Sequence, residues 1–413
     1  MRCSVFLPIA GVCALAATMA CGPGAPAPPP ADTPAPAAQP ASPPPPPQAD
    51  LAAVARTMVK AAMVKEGDKV LINGSVRDHA LFEELAVEAM KVGAQPLIAV
   101  WSDRLARRSY DDVPAAFDSR PPAMELALLS VYDVQLSVEG GESDSALAGV
   151  PAARLAARDK AMLPLSAAFL ERGIRAVNLG NGLYPTASLA TRLGKPLSEV
   201  STMFWKAAMV APETLRARGE ALRAALAAAR EVTLSSANGT KIAFAVDAAK
   251  ADVSDGTITV EKVKRGGMAM QTWLPAGELF VPVVPGTGEG TIVIDRTLQQ
   301  GEIIEGLVLT ISKGRLASMT AKKGLAALQA YYDASSGGKD LLSFVDLGLN
   351  PEATFPTDTG RVVWMAPGGV TIGLGDNTWW GGTNVSSLTF AGAVPGATLA
   401  ADGKVIIENG VLK

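Results

Sequence analysis

Side chains able to do chemistry are sparse in this chain and unevenly placed. The sequence holds one histidine, His79, and three cysteines, Cys3, Cys13 and Cys21, all near its start. Beyond Cys21 there is no thiol for a disulfide, a cysteine zinc site or a cysteine nucleophile. Paired hydroxyls at Ser235-Ser236, Ser335-Ser336 and Ser386-Ser387 have no histidine nearby in sequence. That disfavours a Ser-His-Asp hydrolase and leaves a Ser-Lys pair open. Gly286-Thr287-Gly288-Glu289-Gly290 has the glycine content of a phosphate-cradling loop but no helix after it, so it reads as a turn. Trp379 and Trp380 stand between Asn377 and Gly381-Gly382, where they offer a stacking surface to a ligand unless one of them packs inward.

The last third of the chain carries a denser pattern. Gly368-Gly369-Val370-Thr371-Ile372-Gly373-Leu374-Gly375 and Asn384-Val385-Ser386-Ser387-Leu388-Thr389-Phe390-Ala391 resemble the G-T-x-H-x-A-x-G and N-x-S-x-x-H-x-D signatures of the aminopeptidase T family of two-metal peptidases. Leu274-Pro275-Ala276-Gly277-Glu278-Leu279-Phe280 is similar to that family's N-x-P-x-G-E-V-F block, continued by Gly290 to Val293. Gly67 to Ile72, Glu88-Ala89-Met90 with Gly93-Ala94, Gly239-Thr240, and Asp402-Gly403 to Asn409-Gly410 extend the resemblance over residues 50 to 413.

The resemblance implies that Glu278 is a metal ligand and that Asp346, in Asp346-Leu347-Gly348, stands for the glutamate of the family's E-x-G block. At three further ligand positions the chain departs from the family: Thr371 and Thr389 replace histidines and Ala391 replaces an aspartate. A two-metal aminopeptidase needs carboxylates and imidazoles to hold both ions, polarise the scissile carbonyl and lower the pKa of the attacking water. Two carboxylates without imidazole hold a transition metal weakly, and His79 reads as a surface or cap residue. The expectation is a dinuclear site that has been lost, with no metal cofactor. An active enzyme would instead use two divalent ions, zinc, cobalt or manganese, on an atypical ligand set. The inherited cleft, lined by Glu278, Asp346, Asn377, Trp379 and Trp380, is then left to bind a peptide or other small ligand. The resemblance also implies a homodimer.

Arg2, the apolar stretch from Val5 to Ala20 and Cys21-Gly22 form a leader over residues 1–21 similar to a bacterial lipoprotein signal, although Thr18 stands where leucine is usual. The stretch is shorter than the ~20 residues that span a bilayer, which favours lipidation at Cys21 over a retained transmembrane anchor. Residues 22–50 are almost wholly Pro and Ala, with Pro43 to Pro47 in succession, and read as an extended tether. Together these predict a lipid-anchored protein of the bacterial cell envelope. A purely structural envelope role rests on the tether alone.

The remaining chain has room for one large core or two ordinary ones. With a formal net charge of −3 and no basic clusters interleaved with aromatics, nucleic acid is not an expected partner. Residues 51–230 alternate helical and strand-like runs: Ala52 to Met63, Lys69 to Ile72, Ala80 to Val92, Pro96 to Trp101, Val134 to Val138, Ala176 to Leu179 and Pro212 to Ala229. This predicts an α/β domain with a parallel sheet covered by helices on both faces. Residues 231–413 change to β-branched runs at Val232 to Leu234, Ile242 to Val246, Thr291 to Ile294, Glu305 to Ile311, Val362 to Met365, Thr371 to Leu374 and Val405 to Ile407, with one helix over Met319 to Tyr332. Asn238-Gly239, Asp255-Gly256 and Asp402-Gly403 read as hairpin turns. The second domain is therefore β-rich, in keeping with the family's two-domain build.

Overall fold

The computed structural model describes residues 50–143, 146–299, 302–355, 362–378 and 382–413. The leader, the tether, Cys21, Trp379 and Trp380 lie outside the described residues. The chain opens with α1 (Leu51–Ala61), β1 (Lys69–Ser75), α2 (His79–Lys91), β2 (Gln95–Trp101), α3 (Asp103–Asp111), α4 (Ala123–Leu129), β3 (Val134–Val138), α5 (Ala152–Arg172), β4 (Arg175–Leu179), α6 (Ala187–Leu193), α7 (Leu197–Ala208) and α8 (Pro212–Ala227). Strands then dominate: β5 (Val232–Ser235), β6 (Lys241–Phe244), β7 (Asp252–Ser254), α9 (Val260–Arg265), β8 (Gln271–Leu274), β9 (Glu278–Pro282), β10 (Glu289–Gln299), β11 (Glu302–Ser312), β12 (Arg315–Thr320) and α10 (Leu325–Ala334). The chain closes with β13 (Leu342–Gly348), β14 (Val370–Gly375), β15 (Thr389–Val394), β16 (Thr398–Ala401), β17 (Lys404–Glu408) and β18 (Val411–Leu412).

Asp50 starts α1 by accepting the Ala53 amide at 2.9 Å, which satisfies one of the free N–H groups of the first turn. Pro212 occupies the first turn of α8, where its missing N–H is not needed. Five parallel strands form one sheet in the order β2-β1-β3-β4-β8. Alternation along them sends Val70, Ile72, Leu136, Val138, Val177 and Leu179 into a core shared with α1, α2, α6 and α7. Leu71 points the other way and packs with Leu129 of α4 and with Leu165 and Phe169 of α5. Helices thus lie on both faces of a parallel sheet, the expected α/β class.

Two antiparallel sheets make up the rest, one of eight strands in the order β12-β11-β10-β6-β5-β16-β17-β18 and one of five in the order β15-β14-β13-β9-β7. They share a second core in which Leu234, Ile242, Ile292, Ile294 and Leu307 meet Leu279, Val281, Val345, Leu347, Ile372 and Leu374. Strand-rich chain begins at β5, yet β8 returns to complete the parallel sheet, and Ala353, Phe355, Val363 and Met365 are buried in the first core. Material from beyond residue 230 therefore builds both cores.

Three local expectations are corrected. Met319 and Thr320 belong to β12, where they pair with Leu309 and Val308, and the helix begins only after Gly324, whose φ of 75° breaks the strand direction. Val362 to Met365 form no strand, because their apolar side chains are consumed by burial under a turn rather than by alternation on a sheet. Asp255-Gly256 closes no hairpin; Asp255 instead accepts Arg216 Nε at 2.9 Å and pairs with the Lys262 ammonium at 3.4 Å. Asn238-Gly239 and Asp402-Gly403 do join paired strands, the latter with φ of 45° and 80° at its two residues.

Candidate functional site

Strand register brings the resembling blocks onto one face of the five-stranded antiparallel sheet. Glu278 at the start of β9 lies opposite Gly348 on β13 and Ser254 on β7. Asp346, two residues before Gly348, lies opposite Phe280 on one side and Thr371 of β14 on the other. Thr371 pairs with Ala393, Gly373 with Ala391 and Gly375 with Thr389 on the edge strand β15. Residues directly opposite, or two apart along one strand, share a face. All five therefore lie on the face opposite the second core, but only Asp346 and Thr371 are directly opposite; Glu278 is next to them toward one end, and Ala391 and Thr389 lie progressively further toward the other end on the edge strand.

That surface is filled rather than open. Phe280 and Phe344 lie on the same face at i+2 from Glu278 and i−2 from Asp346, with ring centroids 5.1 Å apart, and Trp364 adds a third ring 6.3 Å from Phe344. Phe344 lies directly over Gly373, where even a methyl group would collide with the ring. The turn through Met365 and Ala366 closes the end near Glu278: the Asn350 amide donates to the Met365 carbonyl at 3.0 Å and the Gly348 amide to the Gly369 carbonyl at 2.9 Å. Glu278 is 8% exposed and Asp346 2%. Partial exposure is kept on the two edge strands, at Thr389, Ala391 and Ala393 of β15 and at Asp252 and Ser254 of β7.

Burial sets the electrostatics. Loss of water pushes the Glu278 carboxyl up to about 7; the Ser254 hydroxyl opposes the rise and Asp252 adds to it. Asp346 is raised well above the ordinary carboxylate range, first by burial and then by the Glu278 charge. Its Oδ1 has no hydrogen-bond partner among the described residues. Both carboxyls are thus held toward their neutral forms by burial, and the Glu278 charge adds to the rise at Asp346.

The other expected site residues lie elsewhere. Asn377 is 4% exposed and its amide is used internally, donating to the Ser343 carbonyl at 3.0 Å and accepting the Asn384 amide at 2.9 Å. It borders a recess of ≈ 70 Å³ with Pro282, Leu342 and Ser343, at the opposite end of β9 and β13 from Glu278. Glu278 and Pro282 are four residue steps apart along β9, about 13 Å. Glu278 and Asp346 thus do not line that recess with Asn377, and the cleft expected from the sequence is not assembled from these three. His79 is exposed at the start of α2, on the N-terminal sheet's helix layer. Phe344 and Phe280 went unread as site residues; their i±2 spacing from the two carboxylates was the available signal.

Chain topology and this face can be set against known proteins. A family model described as thermophilic metalloprotease (M29) matches residues 48–345. The chain belongs to that family. The metalloprotease match includes Glu278 and ends one residue before Asp346, so Thr371, Thr389 and Ala391 fall beyond it. Among solved structures, wild-type AmpT from Thermus thermophilus superposes with a TM-score of 0.67 at 18% identity, over 88% of this chain and 98% of its own. A 2,5-dihydroxypyridine dioxygenase from Pseudomonas putida KT2440 superposes with a TM-score of 0.54 at 15% identity, over 88% of this chain and 96% of its own. No curated protein sequence matches the chain.

M29 proteins are metal-dependent peptidases, so the residues present must be judged as ligands. Among the described residues, no group of three or more His, Cys, Asp or Glu side chains converges where a metal ion could sit. Glu278 and Asp346 are the two buried carboxylates, Asp252 on the same face is paired with Arg265 at 2.8 Å, Thr371 and Ala391 supply no soft or anionic donor, and Phe344 takes the space above Gly373. A two-metal hydrolytic centre does not fit this set.

Proposed function

We propose that this M29 family member has given up two-metal hydrolysis and serves as a lipid-anchored binding protein of the bacterial cell envelope. The observation that supports this reading is the aromatic filling of the ligand face: Phe344 over Gly373, with Phe280 and Trp364 around it, where the family's framework requires room for ions and a scissile peptide. A fold shared with both an aminopeptidase and a dioxygenase by superposition does not itself fix an activity. Cys21, as the lipidated residue after cleavage at Ala20, and the proline-rich segment behind it would hold the folded body away from the membrane. No described helix is long and apolar enough to cross a membrane.

In this role the surface beside β15 offers a peptide or other small ligand the half-exposed positions Thr389, Ala391 and Ala393. The competing assignment is a metal-dependent aminopeptidase with an atypical ligand set. A peptide-release assay on unblocked peptides with added cobalt, zinc or manganese separates the two, with Glu278→Ala as control. No release from either protein is expected. Metal-dependent release by the native chain, abolished in Glu278→Ala, would restore the peptidase reading. Mass analysis of the mature amino terminus tests the anchor: an acylated Cys21 is expected, and an unacylated or differently cleaved terminus contradicts it.

A further inference from the structure

The parallel sheet carries a second, unassigned polar feature far from the carboxylate face. Its order β2-β1-β3-β4-β8 reverses at β1, so the crevice outside the carboxyl ends of β1 and β3 is the switch point at which open α/β sheets bind ligands. Strand pairing forks there: the β1–β3 ladder ends at Asn73–Ser137, while β1 continues with β2 to Ser75–Trp101 and β3 continues with β4 to Val138–Leu179. At the fork one row of side chains crosses the sheet in register, Asn73, Ser137, Asn178 and Trp273. Parallel strands buried on both faces are normally apolar throughout, so three adjacent amide and hydroxyl groups interrupt the expected pattern.

Asn73 is 4% exposed and its Oδ1 has no hydrogen-bond partner among the described residues. An orphaned acceptor of this kind is costly in a folded interior and marks a place where a donor is missing. Asn178 Nδ2 donates to Ser137 Oγ at 3.0 Å, which leaves the Ser137 proton free to donate outward. Ser137, Asn178 and Trp273 are each only partly buried. The covering helix explains why: α5 buries Leu165 and Phe169 over the first half of the strands, but from Ala153 to Pro164 none of its side chains is fully buried. Side-chain cover over the polar row is thus only partial.

We propose that this crevice binds a small, neutral, polyhydroxylated molecule, a mono- or disaccharide, with Asn73, Ser137 and Asn178 hydrogen-bonding its hydroxyls and Trp273 packing on its ring. Alternating acceptor and donor groups suit hydroxyls, which need both. The indole beside them supplies the apolar contact on which the C–H face of a sugar ring rests. An anionic ligand is disfavoured: Glu139, directly after β3, adds a negative charge and accepts the Gly182 amide, and the Arg77 guanidinium is held by Asp78 through Nε at 3.2 Å and Nη2 at 2.9 Å. This site is independent of the carboxylate face and of any peptidase activity.

Isothermal titration calorimetry of the full chain with glucose, N-acetylglucosamine and cellobiose, against inorganic phosphate and acetate, tests it. At least one sugar is expected to saturate with a Kd of about 1 mM or tighter, and neither anion is expected to bind. Asn73→Leu should weaken that binding roughly tenfold without lowering the Tm, since it removes a buried unpaired group. Asn178→Ala, at a partly exposed position, carries the test if Asn73→Leu does not fold, and should weaken it by roughly three- to tenfold. Glu278→Ala should leave sugar binding unchanged. The proposal is overturned by no saturable sugar binding, by binding of phosphate or acetate instead, or by sugar binding that neither Asn variant alters.

Discussion

The two faces of the sheet β15-β14-β13-β9-β7 are built from the same strands and have come to different ends. One face, with Leu279, Val281, Val345, Leu347, Ile372 and Leu374, is sealed against the eight-stranded sheet and consists of side chains any β-sandwich core would accept. The other face holds Glu278, Asp346, Thr371 and Ala391, two buried carboxyls among neutral side chains with the Phe280 and Phe344 rings packed beside them. Because side chains alternate, substitutions on one face leave the other face's packing intact. Stability of the fold and the chemistry of the carboxylate face are thus separable in this architecture.

The sharpest way to break that contrast is to remove the filling. Phe344→Ala should destabilise by about 3–5 kcal/mol, as for a core aromatic, because the ring is fully buried over Gly373. Chemical denaturation measures it. A loss below about 1 kcal/mol would show that the ligand face is still a loosely packed, functional surface.

Next in size is the pH dependence of the carboxyl pair. Glu278 has its folded value raised from 4.5 to about 7, so the native state holds that proton more tightly than the unfolded chain. Its burial therefore carries no penalty below about pH 4.5, a growing one through the interval, and the full penalty above about pH 7, on the order of 3 kcal/mol. Thermal unfolding should show wild-type stability falling across that window, while Glu278→Gln is equal to wild type near pH 4 and more stable at pH 8. Parallel pH curves for the two proteins would contradict the arrangement. The smallest effect is expected at the rim: Thr389 is only partly buried on the edge strand, and Thr389→Val should shift stability by less than about 0.5 kcal/mol in the same denaturation experiment.

Much of this architecture was legible in the sequence because local signals and tertiary demands agree. Val134 to Val138 is a strand with the bounds its apolar run gives, and Asp402-Gly403 turns β16 into β17 with the backbone its residue types favour. Agreement fails where burial comes from a distant element. Val362 to Met365 reads as a strand but is buried as a turn beneath the first core, and α5 is hidden because its few anchors, Leu165 and Phe169, are diluted by Ala and Arg. At the site, glycine spacing carries the resemblance, and Thr371, Thr389 and Ala391 are the positions where the chain departs from it. The sequence did not show that Phe344, on a neighbouring strand, lies over Gly373; that contact exists only through the β13–β14 register.

Metal occupancy decides between a face that has closed and one that is merely unusual. Full-length protein dialysed against zinc, cobalt or manganese and analysed for bound metal should hold less than one equivalent, with the same Tm as metal-free protein. Two equivalents that raise the Tm, and that are lost in Glu278→Ala and Asp346→Ala, would mean that these carboxylates still anchor a dinuclear centre.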